Sequence, residues 1–538
     1  MYFVVILAFA LVLSDELPPP QFRSFWGRPE GDPLLPILVL GVIVGQLALV
    51  AAVAWWNRRR VLARLDGTDD GHDRAADAFA QGQAIVLVIL AAALVGTTVL
   101  TPWAHLVRDA KQLNLDRIPL LGDLLVLVPF FASLTLAWWV HFAAESALRH
   151  SAYECEASEG GGDTANPPAV ERSAARQRPE APPDQSLRAF LVDKFRHHVL
   201  IIGGPMTLIV LAKHFTDLSR APLTRSTGIG WLSDAILGTV SIAVLALAPV
   251  MLRYIWKTEA LAAGPLRTRF ERTCRRIGLR YREILLWRTH GMAVNAAVMG
   301  FIPPLRYVMV SDALLETMED GEIEAVFGHE AGHVHHWHLP MFGVFAVNSM
   351  CIAGGVIVGM QWMRPATDPG TLQLVGLGIL MIAWLFGFGW LSRRFERQAD
   401  LFAVRCIAPD VERCVEWCPV HGKRRSPGLC VSAVQLFGRT LDKIAHLNGI
   451  PTQMPTWRHG SIDARRQLLE RLVAEPAQVA AFDRRLRKIK IVLIAIGVVG
   501  CLISVAYFYA DTAQKVDWLP LPSFLRHALE SARRAGIQ

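Results

Sequence analysis

Charge is scarce in this chain. Only 19% of its 538 residues are Asp, Glu, Lys or Arg, against 52% hydrophobic, and the mean hydropathy is +0.32. Soluble domains carry roughly 25% charged residues, so a wholly soluble or disordered chain is excluded. Also missing is a basic domain with interleaved aromatics. The net charge is +8, and Lys and Arg sit largely beside apolar stretches, which argues against nucleic acid as a partner. Residues 1–13 are apolar but lack a charged n-region and a small-residue cleavage site, so they read as a weak span or re-entrant segment rather than a signal peptide. Ionisable residues are almost absent from the middle of the apolar windows. A transport path is therefore disfavoured, and Asp123 and Asp234, near window ends, read as interfacial.

What is present in abundance is long apolar sequence. Windows at about 34–56, 83–103, 119–142, 197–213, 229–253, 340–363, 371–391 and 490–510 each suffice to cross roughly 30 Å of hydrocarbon. The expectation is a mainly α, multi-pass membrane protein with about eight helices in the lipid bilayer. Arg58, Arg59, Arg60 and Arg64 follow the first window, whereas Arg364 alone is basic between the sixth and seventh. The positive-inside rule then places 57–82, 143–196, 254–339 and 392–489 in the cytoplasm. Frequent Ala, Arg and Gly suggest a bacterial source, hence an inner (plasma) membrane.

The expected organisation is membrane helices over 1–142, a disordered cytoplasmic linker over 143–196, membrane helices over 197–264, a catalytic unit over 265–489 containing two spans (340–391), and a last span and tail over 490–538. The linker reading rests on 156–187, rich in Gly, Pro, Ala and charge, a composition that cannot bury a core. From Pro265 the character changes: LRTRFERTCRRIGL has helical spacing, and EILLWRT, MAVNAAVMG and RYVMVSD read as short strands, together a small α+β unit.

The next helix is expected to start near Asp320, capped by it, and carries His329-Glu330-Ala331-Gly332-His333. Two histidines four apart share a helical face and can converge on one ion, while Glu330 reaches a water on it; this is the zincin motif. The bland alternative is a helix that merely carries histidines, with His335, His336 and His338 nearby. Catalytic zinc usually takes a third protein ligand. After Pro340 the chain crosses the membrane, turns in RPATDPG and returns as SRRFERQAD, bringing Glu396 back to the side of His333. Glu396 is the expected third ligand. Asp400, one turn on, can accept the free ring N–H of a ligating histidine. The competing reading is an exposed acidic pair beside Arg393, Arg394 and Arg397.

The series NAAVMG, VMVSDALLETM, GEIEAVFGHEAGHVHHWH, two spans and SRRFERQAD resembles the M48 family of integral-membrane zinc metallopeptidases, over about residues 265–470. That family includes bacterial heat-shock membrane proteases and Ste24-type CAAX prenyl proteases. The resemblance implies a gluzincin-type site with one Zn²⁺ per chain on His329, His333 and Glu396, Glu330 as catalytic base, and Asp400 orienting a ligand. It also implies that His459 faces the zinc and helps stabilise an oxyanion, with Arg465 pairing to nearby acidic groups. The proline that normally follows that histidine is Gly460 here. Without the family, His459 and Arg465 are ordinary surface residues of a charged segment. Asn295, by the family's Asn-Ala pattern, is a candidate for holding substrate backbone beside an exposed strand edge; otherwise it is a turn residue with no ligand.

The resulting functional expectation is a membrane zinc endopeptidase acting on peptide or membrane-protein substrates. The alternative is a metal-bound scaffold or chaperone with little turnover. Five or more spans before the zinc helix favour a chamber-like plan. Of eight cysteines, Cys414, Cys418 and Cys430, with His421, could hold a second, structural metal, although the spacing fits no standard knuckle; reduced or buried thiols are the competing reading.

Overall fold

The computed structural model describes residues 2–13, 17–18, 22–25, 27–29, 31–108, 120–159, 186–289, 293–408 and 428–515. Among them, seven helices are long and apolar enough to cross a membrane: Leu35–Leu62, Asp70–Val99, Leu187–Thr227, Leu232–Ile255, His338–Met363, Pro369–Ile407 and Pro476–Tyr507. The protein is a mainly helical, multi-pass membrane protein with a small sheet.

The N-terminal bundle consists of α1 (Tyr2–Val12), α2 (Leu35–Leu62), α3 (Asp69–Val99), α4 (Trp103–Arg108), α5 (Leu121–Val126) and α6 (Val128–Glu159). Helix α1 has 11 residues, about 16 Å at 1.5 Å per residue, too short to span. Val5 and Ala8 are fully buried, and α1 packs against α3 and the later α8. The window expected at 119–142 falls on α5 and α6, which break at Leu127. Trp138, Trp139 and His141 dilute its apolar run, which is why it stands apart from the seven. Its charge at the window end is paired: Arg108 lies 3.1 Å from Asp123. Asp234 is likewise paired, with Arg220 at 2.6 Å.

The expected disordered linker over 143–196 needs correction at both ends. Helix α6 continues to Glu159, and α7 (Leu187–Phe195) starts behind Ser186, whose hydroxyl accepts the Ala189 N–H. Packing makes these ends helical: Lys194 pairs with Glu145 at 2.6 Å, and the Phe142 and Phe190 rings meet at 5.0 Å. Residues 160–185 lie outside the described residues. Helix α7 runs through a π-helical turn into α8 (Ile201–Thr227), and α9 (Leu232–Ile255) completes this half.

The sheet-bearing unit follows as β1 (Glu259–Ala260), α10 (Pro265–Ile277), β2 (Glu283–Trp287), β3 (Ala296–Met299), β4 (Tyr307–Ser311) and α11 (Asp312–Thr317). The strand order is β1-β2-β4-β3, with β2 parallel and β3 antiparallel to β4. Buried Phe270, Ile284, Val308, Val310, Ile323 and Phe327 join the sheet to α10 and to the next helix, α12 (Asp320–His335). The Ser311 N–H donates to the Asn295 carbonyl at 3.0 Å. With the register Ala296↔Val310 and Val298↔Val308, the alternation of an antiparallel ladder turns the N–H and C=O of Ala296 and Val298 to the open edge of β3.

Helix α12 leads into the hairpin α13 (His338–Met363) and α14 (Pro369–Ile382), and α14 continues through a π-helical turn into α15 (Gly389–Ile407). The continuous stretch Pro369–Ile407 has 39 residues, about 58 Å of helix against roughly 30 Å of hydrocarbon. Its last turns therefore project beyond the lipid. Helices α16 (Val431–Leu447), α17 (Ile462–Ala474) and α18 (Pro476–Lys515) close the chain.

Candidate metal centre

Helix α12 is anchored one residue earlier than expected. Glu319 rather than Asp320 is its N-cap, in a capping box where the Glu322 carboxylate accepts the Glu319 N–H at 2.8 Å. The reason is reciprocity: Glu319 and Glu322 are three apart and satisfy each other's backbone donors.

Close approach of α12 and α15 assembles the site. A Cβ on Gly332 would sit 3.0 Å from Ala399 Cα and 3.1 Å from Phe402 Cβ, and one on Gly328 would sit 3.3 Å from Ala403 Cα. Two glycines four apart thus face two alanines four apart, and next to that seam His329 and His333 face Glu396 and Asp400. The glycine inside the histidine motif is consequently part of the site's geometry, a role that sequence reading missed.

The facing ligand atoms form a small triangle. His329 Nε2 lies 3.3 Å from His333 Nε2 and 3.4 Å from Glu396 Oε2, and His333 Nε2 lies 3.6 Å from Glu396 Oε1. Zinc with N and O ligands at about 2.0–2.1 Å in a tetrahedron sets its ligand atoms about 3.3–3.4 Å apart. The three side chains therefore fit one face of a tetrahedral ion, and among the described residues they are the group that could hold a metal.

Behind the triangle, His329 Nδ1 lies 2.9 Å from Asp400 Oδ1. Asp400, 1% exposed, is gripped by Arg465, 6% exposed, through Nε to Oδ2 at 2.8 Å and Nη2 to Oδ1 at 2.5 Å. Arg465 Nη1 is also 3.8 Å from Glu396 Oε2. The surface reading of Arg465 is overturned: α17 turns it inward onto α15, where a bidentate fork matches a carboxylate. His459 stands in the loop before α17, half exposed, with Nδ1 2.9 Å from Glu396 Oε2. It touches the expected third ligand rather than standing apart from the site.

Glu330 points across to the open edge of β3, where its carboxylate accepts the Val298 N–H. Burial raises its pKa and the Glu396 carboxylate adds to the rise, against His329 and that hydrogen bond. Burial also disfavours a charged His329, but hydrogen bonds and charge from Asp400 and Glu396 outweigh it and lift His329 to about 10. His333 moves the other way, burial taking it down to about 3. Asn295 is exposed at the start of β3, with its main-chain N–H donated to Ser311 Oγ at 3.0 Å. Of the cysteine cluster, Cys430 is buried, and Cys414, Cys418 and His421 lie outside the described residues.

The profile of Peptidase family M48 matches residues 260–421, which contain the sheet, the histidine pair, Glu330, Glu396 and Asp400. Residues 260–421 therefore carry a peptidase M48 domain. Relatives of this M48 domain include a protein named Protease HtpX homolog from Methanocaldococcus jannaschii, 24% identical over 142 residues, 25% of this chain and 48% of the relative. Another, CAAX prenyl protease 1 homolog from Arabidopsis thaliana, is 26% identical over 188 residues, 32% of this chain and 44% of the relative. The chain thus spans about half the length of the curated relatives it matches. The crystal structure of S. mikatae Ste24p aligns over 80% of this chain and 98% of its own, with a TM-score of 0.47 and 15% identity. The M48 match stops short of His459 and Arg465, so their place beside Glu396 and Asp400 is a finding of geometry alone.

Proposed function

We propose that this M48 protein is a membrane-embedded zinc-dependent endopeptidase, with one Zn²⁺ held by His329, His333 and Glu396. The observation that carries this reading is the triangle of ligand atoms on α12 and α15, with an uncoordinated carboxylate, Glu330, between it and an open strand edge. Bound zinc would supply a Lewis acid and lower the pKa of a water towards neutrality.

The remaining chemistry belongs to the chain. Substrate peptide lies extended along β3, accepting from the outward Ala296 N–H and donating to the outward carbonyls of Ala296 and Val298, while the Val298 N–H is held by Glu330, with Asn295 at the end of that edge as a further backbone contact. Glu330 accepts the proton of the attacking water and returns it to the leaving amine nitrogen as the C–N bond breaks. Its raised pKa suits both halves of that exchange. His459 offers a donor to the carbonyl oxygen as charge builds on it. Asp400 and Arg465 hold His329 in the tautomer that presents Nε2. The catalytic side is cytoplasmic, the membrane is a bacterial inner membrane, and the substrates are peptides or membrane proteins.

A cavity of about 600 Å³ between the membrane helices is lined by Gln83, His141, Glu145, Lys194 and Trp457. The loop forming its wall at Thr456 and Trp457 is the one that carries His459 to Glu396. The rest of its lining is mainly apolar, including Leu87, Leu90 and Leu134, and such a chamber beside the site suits a substrate entering from the membrane.

The test uses two variants of the full-length protein in detergent. Glu330→Gln should keep one equivalent of zinc and lose cleavage of casein or a model membrane substrate. Glu396→Ala should lose the zinc. Undiminished cleavage by Glu330→Gln would overturn the enzyme reading, and a wild type that holds one equivalent of zinc yet cleaves nothing would leave a metal-held scaffold as the better account.

A further inference from the structure

Among the described residues no carboxylate stands behind His333 Nδ1; a chain of neutral groups ending in a lysine stands there instead. His333 Nδ1 lies 2.9 Å from His338 Nδ1, and His338 Nε2 lies 3.0 Å from Gln398 Oε1. Lys490, on α18, donates its ammonium to that same Gln398 Oε1 at 3.0 Å and to the His336 carbonyl at 2.7 Å. We propose that Lys490 is a positioning residue for the metal site: through Gln398 and His338 it fixes the tautomer of His333 that presents Nε2 to the ion. This rests on the metal reading above and extends it to the C-terminal helix.

The argument is one of donors and acceptors. An ammonium can only donate, so Gln398 must turn its oxygen, not its NH₂, towards Lys490. That oxygen also faces His338 Nε2, which must therefore carry the hydrogen. A neutral His338 then has a lone pair on Nδ1, and the 2.9 Å contact requires His333 Nδ1 to be the donor. His333 is left with its lone pair on Nε2, the atom in the ligand triangle. Reverse any link and two donors or two acceptors face each other. Without Lys490 the amide can flip and both directions become equivalent, so the cation breaks the tie.

The surroundings hold the relay in place. His338 stacks flat on Phe395, ring centroids 4.2 Å apart and 4° from parallel, and Phe395 is fully buried. Lys490 also lies 5.2 Å from the centre of that ring. Trp337, with φ of 58° in the left-handed region, reverses the chain after α12 and returns His338 beneath His333. A bulky residue takes that conformation at a cost. Lys490 also satisfies a carbonyl at the C-terminal end of α12, where a cation is favoured.

Zinc affinity, by chelator competition on detergent-solubilised full-length protein, tests this together with the visible spectrum of the Co²⁺-substituted form. Removing partners that orient metal-bound histidines typically weakens metal binding about 10- to 100-fold. Lys490→Met is expected to weaken zinc about tenfold and alter the Co²⁺ spectrum, and Gln398→Met to do at least as much. Lys490→Arg and Gln398→Glu keep the donor and acceptor senses and should stay within about threefold of wild type. Lys488→Met, an exposed neighbour on the same helix, should change nothing. Wild-type affinity and spectrum in Lys490→Met overturn the inference, as does a Gln398→Glu variant no tighter than Gln398→Met. A wild type without zinc would overturn the metal reading instead, so the two failures are distinct.

Discussion

Replacing Arg465 by Met tests the deepest part of the site. The guanidinium makes two parallel contacts with Asp400, at 2.8 and 2.5 Å, and the two side chains are 6% and 1% exposed. Methionine keeps the stem and removes the charge, leaving a buried carboxylate whose remaining partner is His329. Breaking a buried pair from one side costs about 3–5 kcal/mol, since the orphaned charge loses its compensation without regaining water. Asp400 then takes up a proton or swings away, His329 loses its orientation, and zinc binding weakens about 10- to 100-fold, or about 1.4–2.7 kcal/mol. Unfolding of solubilised protein, with and without chelator, separates the two losses. Removing both charges in Arg465→Met/Asp400→Leu should be milder than Arg465→Met alone, because no unpaired charge remains. An Arg465→Met protein within about 1 kcal/mol of wild type, with unchanged zinc affinity, would refute the claim that this pair is a buried support.

Gly332→Val should force α12 and α15 apart, since even its Cβ would lie 3.0 Å from Ala399 Cα. A cost of about 1–3 kcal/mol and substoichiometric zinc are expected, and full zinc occupancy with unchanged stability would show that the seam tolerates bulk. Zinc binding should also release a proton. Metal-free His329, lifted to about 10, is charged at neutral pH, whereas His333, at about 3, is already neutral. Affinity should then fall about tenfold for each pH unit lowered below that raised pKa. Calorimetry in buffers of different ionisation enthalpy would read about one proton released per zinc at pH 7, and none released would contradict the charge state assigned to His329.

What could be read from the chain and what could not divides along one physical line. His329 and His333 share a helical face by period alone, and the hairpin of two apolar spans dictates that Glu396 returns to the side it left. Asp400 follows Glu396 by one turn. These relations are local, or depend only on which side of a bilayer a segment occupies. Arg465 looked like one of several basic residues in ARRQLLERL, because its burial depends on how α17 docks against α15. His338, Gln398 and Lys490 are separated by up to 152 positions and carry no shared periodicity, so only tertiary structure brings them into register. The linker was overdrawn for a related reason: composition marks where a core cannot form, whereas helices started by neighbouring spans run on past that point.

The layout of the ligands along the chain sets the order in which the site can come into being. The two imidazoles leave the ribosome first, the glutamate follows only after both arms of the hairpin, and Arg465 and Lys490 come later still. On the zinc reading, a chain that stops before Glu396 would hold a weak, two-ligand pocket and no working centre. On the proposed function, the capacity to cut peptides would then be withheld from the nascent polypeptide until Lys490 has been made.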